Sequence, residues 1–255
     1  MSGNRRASDG RTVAEKVFAI ADAFDGPGGE ARSLTEIAQR ARLPLSTTHR
    51  LVEAWTEWGG LVRGEDGLYR LGLRLWRLGV RAPAARKLRT VARPYLEDLY
   101  EVTHQHVHLA VIDGLRALYL ERFSPHQAVP VISDVGTRLP LHATGVGLVL
   151  LAYAPVEVLG EVIRAKPKKY LPNTMTSEPE LRARLSEIRA LGLAVAVNEM
   201  TQDSFSAAAP IRDHTDAVVA AVSVIAYAEQ SVDPQFAVAV SVAARGISRA
   251  LGWRP

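Results

Sequence analysis

SLTEIAQRARLPLSTTHRLVEAWTEWGGLVRGEDGLYRL, residues 33–71, decides the fold of the first third of the chain. Ser33 is placed to accept from the Glu36 N–H while Glu36 reaches back, a capping box that starts a short helix over Leu34–Ala41. Leu34, Ile37 and Ala38 share one face of it, and Arg40 and Arg42 load its C-terminal end with cation, which the helix dipole favours. Pro44 has no N–H to donate and is tolerated only near a helix start, so it separates this helix from a second one. The second helix is expected to bury Leu51, Val52, Trp55 and Trp58 and to turn Ser46, Thr47, His49, Arg50 and Glu53 outward. Gly59-Gly60 ends it. Leu61-Val62-Arg63, a Gly-Glu-Asp-Gly turn and Leu68-Tyr69-Arg70-Leu71 then alternate as a two-stranded hairpin. Two short helices, a turn and a hairpin at this spacing predict a winged helix-turn-helix.

That arrangement presents short polar side chains and one guanidinium at a helix N-terminus, which is what reading bases in a major groove requires. The expected contacts to double-stranded DNA are Arg42, Ser46, Thr47, His49 and Arg50, with Arg63, Tyr69 and Arg70 of the wing on the backbone. The acidic tip Glu65-Asp66 should point away from phosphates. Net charge adds little: residues 1–80 carry 12 Lys+Arg against 10 Asp+Glu. Binding must rest on local placement of arginines and on two copies acting together. The tail MSGNRRASDG offers Arg5 and Arg6 as further contacts.

Working outward, Val13, Val17, Ile20, Ala21 and Phe24 lie on one helical face, and Gly26-Pro27-Gly28-Gly29 ends that helix. After the wing, Leu73, Leu75, Trp76, Leu78 and Val80 make an apolar helix that cannot close a core alone, so residues 73–89 read as a linker helix and dimer element. Pro94 is expected to open the next helix. From His104 the period changes to two: Val107, Leu109 and Val111 alternate, Asp113-Gly114 turns, and 117–123 returns. Val129 to Val135 reads as a further short strand, Gly145 to Tyr153 as a buried helix, and Ser177 caps a helix running to Leu191. Leu193 to Val197, Phe205 to Arg212 and Ala217 to Tyr227 read as strands, and Asp233-Pro234 starts a closing helix. Antiparallel strands flanked by helices, without a repeating βα unit, make the chain an α+β two-domain protein. Its divisions are 11–72, 73–89 and 90–255.

With 47% hydrophobic and 23% charged residues the composition is that of a globular protein. Apolar runs such as Val146 to Ala154 are too short to span a bilayer, so no membrane association and a cytoplasmic location are expected. The absence of cysteine excludes disulfides and Cys-ligated zinc. There is no Gly-x-Ser-x-Gly and no phosphate-binding Gly-rich loop with Lys, so no cofactor and no catalytic residue are assigned. His104, His106 and His108 could share one strand face, with His142 joining them, which keeps a metal-dependent hydrolase as the enzyme alternative. A small-molecule sensor that does not bind DNA is the other. At Leu141-His142-Ala143-Thr144-Gly145-Val146-Gly147, Thr144 can cap a helix, and the two glycines would let a carboxylate approach its free N–H groups.

Leu34-Thr35-Glu36-Ile37-Ala38, Leu43-Pro44-x-Ser46-Thr47-x-His49-Arg50-Leu51 and Tyr69-Arg70-Leu71-Gly72 resemble the DNA-binding half of the IclR family of bacterial transcription regulators. The similarity continues through Val107 to Val111, Leu139 to Gly145 and Ala208 to Asp213. It implies a GAF-like effector domain in the second half, a homodimer or dimer of dimers, and a palindromic operator. It also implies that Gly145 and Val146 border an effector cavity, with Ser206 and Ser223 beside them. Family members often carry an acidic residue where this chain has Ala196, Cys where it has Ser206, a second Ser where it has Ile225, and Lys where it has Leu148. Ala196 and Ile225 remove polar partners, so the expected effector is a carboxylate with an apolar body.

Overall fold

The computed structural model describes residues 10–25, 29–81, 83–125 and 128–254; Arg5, Arg6 and Gly26-Pro27-Gly28 lie outside the described residues. The chain divides into two compact units, residues 1–82 and 83–255.

In the first unit, α1 (Val13–Asp22), α2 (Leu34–Ala41) and α3 (Leu45–Trp58) precede a hairpin of β1 (Leu61–Arg63) and β2 (Tyr69–Leu71) and a short α4 (Leu73–Gly79). Both α1 and α2 begin with capping boxes, Thr12 with Glu15 and Ser33 with Glu36, so the expected start of α2 is found. Arg42 closes α2 in the left-handed conformation with φ 53°, and Pro44 caps α3. Ile20, Phe24, Ile37, Leu43, Leu51 and Val52 form the core, and the Trp55 indole N–H donates to the Val17 carbonyl at 3.1 Å, tying α3 to α1. Trp58 does not join them. It is 38% exposed, set edge-on to Trp55 with the Arg74 guanidinium 4.6 Å over its ring. Val13, expected on the inner face of α1, is exposed as well. The α4 side chains Leu73, Trp76 and Leu78 are all exposed, as expected of a helix without its own core.

The second unit is built on a sheet that, among the described residues, has six strands in the order β5-β4-β3-β8-β7-β6, all antiparallel neighbours. These are β3 (His106–Asp113), β4 (Arg116–Phe123), β5 (Arg138–Pro140), β6 (Ala194–Val197), β7 (Ser204–Arg212) and β8 (Val218–Tyr227). One face is covered by α5 (Pro83–Thr103) and α9 (Pro234–Ala250), whose Leu88, Ala92, Leu96, Phe236 and Val240 pack against Leu109, Phe205 and Val222. The other face carries α6 (Gly145–Tyr153) and α8 (Glu178–Leu191), with Val149, Leu181 and Leu185 in the core; α7 (Val156–Arg164) joins it. The starts of α6 and α8 and the Gly192 stop agree with the sequence reading.

Three expectations are corrected. The helix expected to open at Pro94 begins at Pro83, so 73–89 is not one linker helix but α4 followed by the start of α5. Leu88, Ala92, Leu96 and Leu99 form one buried stripe through that point while Pro94 lies on the exposed side, so packing outweighs the missing N–H. Val129 to Val135 is not a strand. Its backbone joins the sheet only at its end, where Gly136 N–H donates to Tyr119 and Tyr119 N–H to Thr137. The sequence reading also missed β5 and α7, both too short or too weakly patterned to stand out.

Every residue of α6 from Gly145 to Ala152 is buried. Gly145 sits against β7, where an added Cβ would stand 2.5 Å from Ser206 Oγ and 3.2 Å from Ser206 Cβ. Gly145→Ala should therefore destabilise the protein by about 1–3 kcal/mol through overpacking, outweighing the ~0.5–1 kcal/mol that alanine gains over glycine in a helix. Adding Ser206→Gly should recover most of the loss in urea denaturation. A neutral Gly145→Ala would show that the contact is not tight.

Candidate nucleic-acid interface and effector cavity

In the first unit, Ser46, His49 and Arg50 are exposed and Thr47 half-buried on the outer side of α3, while Thr48 between them is fully buried and donates to the Pro44 carbonyl at 3.1 Å. Leu45, which the sequence reading did not single out, is 52% exposed beside them and adds an apolar group at the helix start. His49 Nδ1 lies 3.3 Å from Glu53. Arg42 is exposed at the turn between α2 and α3.

The wing differs from expectation in two residues. Tyr69 is 7% exposed and belongs to the core, because its backbone exchanges hydrogen bonds with Arg32 on one side and pairs with Arg63 on the other, making β2 a central strand. It is not a surface contact. Asp66, expected only to point away from phosphates, is engaged within the wing: its carboxylate takes two hydrogen bonds from Arg70, at 2.6 and 3.0 Å, and one from the Leu68 N–H. The Arg70 guanidinium holds the Asp66 carboxyl down to about 2. Arg63 is exposed, its guanidinium 5.6 Å over the Tyr69 ring.

In the second unit, the α6 side of the sheet encloses a narrow cavity of about 40 Å³. Thr144, Gly145 and Val146 reach it from the start of α6, Ser206 from β7, Ser223 and Ile225 from β8, and Ala196 from β6. All seven residues expected at an effector site thus line one cavity. Strand alternation brings the sheet residues there: Ala196 pairs with Ser206, and Ser206 with Ile225, so their side chains share a face. The two glycines act differently from expectation. Gly145 makes room for Ser206 and Gly147 for the Leu141 carbonyl, and Thr144 Oγ already accepts the Gly147 N–H at 3.1 Å. Open approach to the helix start is confined to Gly145 and Val146.

The structure adds residues that sequence reasoning missed. Tyr119 lines the cavity from β4, and burial raises its phenol pKa strongly while a hydrogen bond with Thr144 works against the shift. Val131, Ile132 and Ser133 form one wall. That wall is tethered by two imidazoles of β3. His106 Nε2 donates to the Val129 carbonyl at 2.8 Å, and His108 Nε2 lies 3.1 Å from Ser133 Oγ. Burial pushes the His108 imidazole down to about 3, so it stays neutral. The expected three-histidine face does not form: His104 stands at the end of α5 with φ 50°, and His142 bonds the Lys168 carbonyl instead. Among the described residues no group of three His, Asp or Glu could hold a metal ion.

Glu199 is the least expected lining residue. It lies in the β6–β7 loop, whose backbone is pinned by Thr174 donating to the Glu199 carbonyl and by the Asn198–Ser204 pair. The residue is 7% exposed, and its Oε2 has no hydrogen-bond partner. Burial raises its carboxyl to about 7, and only Arg184 opposes the shift. Between pH 4.5 and 7 the unfolded chain loses this proton while the folded one keeps it, so the penalty grows with pH and levels off above 7. Glu199→Gln should therefore match wild type in urea denaturation near pH 4 and exceed it by about 2–3 kcal/mol at pH 8. A pH-independent difference would show that the group is not buried as described.

Comparison with known proteins covers both units. Residues 13–65 match the IclR helix-turn-helix domain and residues 81–249 the bacterial transcriptional regulator IclR C-terminal domain. The chain is 30% identical over 244 residues to the HTH-type transcriptional regulator XynR of Escherichia coli K12, covering 94% of this chain and 96% of that one. It is also 30% identical to the HTH-type transcriptional repressor AllR of Klebsiella pneumoniae, with 98% and 93% covered. Among solved structures, an IclR homolog from Microbacterium hydrocarbonoxydans complexed with 4-hydroxybenzoate is 36% identical, covers 94% of this chain and 99% of its own, and superposes with a TM-score of 0.86. Among the described residues no helix is long and apolar enough to cross a membrane. With a winged helix-turn-helix ahead of an α+β domain and family matches over most of its length, the chain belongs to the IclR family of bacterial transcriptional regulators.

Proposed function

We propose that the protein is a cytoplasmic, non-enzymatic regulator that binds a palindromic operator as a homodimer and responds to a small organic acid. The observation that carries the acid is the cavity: Ser206 and Ser223 bring strand hydroxyls into it beside the α6 start at Gly145 and Val146, while Ala196, Ile225, Leu139 and Met200 give it apolar wall between these and the polar residues of the β6–β7 loop. A monocarboxylate with a hydrophobic body fits that division, its anion at the Gly145 and Val146 N–H groups. The M. hydrocarbonoxydans relative holds 4-hydroxybenzoate, an acid of this kind. The cavity is narrow, so binding requires the Val131–Ser133 wall and the β6–β7 loop to yield.

On the DNA side, Ser46, Thr47, His49 and Arg50 of α3 read bases, and Arg42, Arg63 and Arg70 contact phosphates. Two recognition helices must meet half-sites about 34 Å apart, or multiples of that. The exposed apolar side chains of α4 serve dimerisation. Val102, Val238 and Val242, exposed beside Tyr95 and Leu99 between α5 and α9, suit the pairing of dimers. An effector acts by preferring one arrangement of the dimer over another.

Arg50→Ala and Thr47→Ala should each weaken operator binding by about 1–3 kcal/mol without changing effector binding, and Arg63→Ala should flatten the salt slope by about one unit. Asp66→Asn releases Arg70 and should strengthen specific and non-specific binding alike. Gel-shift titrations at several salt concentrations check these. Val146→Asp places a like charge at the proposed anion site and should abolish the calorimetric response to benzoate-type acids while operator binding persists. Wild type that binds pyruvate but no larger acid would refute the apolar-body reading.

A further inference from the structure

One polar group of the cavity has no role in holding a carboxylate. Glu199 is an anion or a neutral acid, never a cation, so it does not attract the effector's charged end. Yet it lines the cavity, is more than nine-tenths buried, and leaves Oε2 without a partner. Its loop is tied to the rest of the unit by Thr174 donating to the Glu199 carbonyl and by the Asn198–Ser204 pair. The charged group nearest in effect is Arg184 of α8, whose two terminal nitrogens go to Glu187 at 2.8 Å and to the Val195 carbonyl, while its buried Nε, like Glu199 Oε2, has no hydrogen-bond partner. Tyr119 and Thr144 bond each other, and His108 is neutral, its Nε2 beside Ser133. No protein group donates a hydrogen bond to Glu199 Oε2. A buried acceptor left unpaired is costly, and a ligand that provides the missing donor gains far more than one that merely fills space.

We propose that Glu199 is a specificity-determining residue that accepts a hydrogen bond from a hydroxyl on the effector, so that the effector class is a hydroxy-substituted acid and not an unsubstituted one. The proposal rests on the acid reading above and adds a second polar anchor to it. The carboxylate is held at the start of α6, the apolar body lies along Ala196 and Ile225, and the hydroxyl meets the β6–β7 loop. A ligand without the donor leaves Glu199 unpaired and brings its own negative charge near a carboxyl that has nothing to offer it except its proton.

Isothermal calorimetry at pH 7.5 on the full chain with 4-hydroxybenzoate, benzoate and 4-methoxybenzoate tests this. Wild type should bind 4-hydroxybenzoate about tenfold or more tightly than the other two. Glu199→Leu should bring the three within about threefold of one another while benzoate affinity is kept, and Glu199→Gln, which retains an acceptor without charge, should fall between. Circular dichroism establishes that each variant is folded, and Glu199→Gln alone suffices if Glu199→Leu is not. Equal binding of the three acids by wild type, or a preference that survives in both variants, overturns the role of Glu199 and leaves the acid reading standing. Failure of wild type to bind any of the three overturns the acid reading and this proposal with it.

Discussion

Helix α6 lies hard against strand β7 because position 145 has no side chain, and the rest of the second unit is arranged around that contact. Ser206 occupies the space a Cβ would need, so the helix start, the sheet hydroxyls and the Tyr119–Thr144 pair are drawn into one small volume. The same proximity buries α6 completely, which is why its sequence is apolar on every side instead of along one stripe. Thr144 keeps the first turn satisfied by accepting the Gly147 N–H, leaving only the outermost N–H groups for anything that enters.

Around this rigid floor the cavity has two softer walls, each held from behind by polar side chains. His106 and His108 pin the irregular stretch from Val129 to Ser133, and Thr174 and Asn198 pin the loop that carries Glu199. Such ties are specific but individually modest, about 0.5–1.5 kcal/mol for an ordinary hydrogen bond, whereas the α6 contact involves close-packed core. Widening the cavity therefore calls for movement of the loops while the helix and sheet stay in place. Burial lowers both imidazoles, that of His108 to about 3, so the His108 contact does not switch with mild acidification.

The first unit shows the same economy with charge. Its 12 Lys+Arg over residues 1–80 are nearly matched by 10 Asp+Glu, and Arg70 is occupied by Asp66 within its own wing. A domain so nearly neutral gains little from long-range attraction to DNA. Leu73, Trp76 and Leu78 of α4 are exposed, and a helix of two turns with no core of its own draws little stability from its own backbone.

What the sequence determined by itself was the local grammar: the Ser33–Glu36 capping box, the Pro44 break, the outward set Ser46, His49 and Arg50, the buried α6 and the Gly192 stop each depend on residues within a few positions of one another. Resemblance to a family, not spacing, pointed to Ser206, Ser223, Ala196 and Ile225 beside the α6 start, and the strand register of the folded sheet puts Ala196, Ser206 and Ile225 on one face. Only the tertiary structure decided what happens when segments far apart in sequence meet. Tyr69 is core because Arg32 pairs with its backbone, Pro94 is tolerated because its helix face is exposed, and residues 129–135 are not a strand because side chains of β3 hold them instead of backbone bonds. Glu199 is the sharpest case. In a loop rich in Asn, Thr, Gln and Asp it reads as a solvated charge, and it becomes a buried acid with an unmet oxygen only because residues 173 and 174 return across that loop. Desolvation depends on everything that surrounds a group, and no spacing within the sequence encodes it.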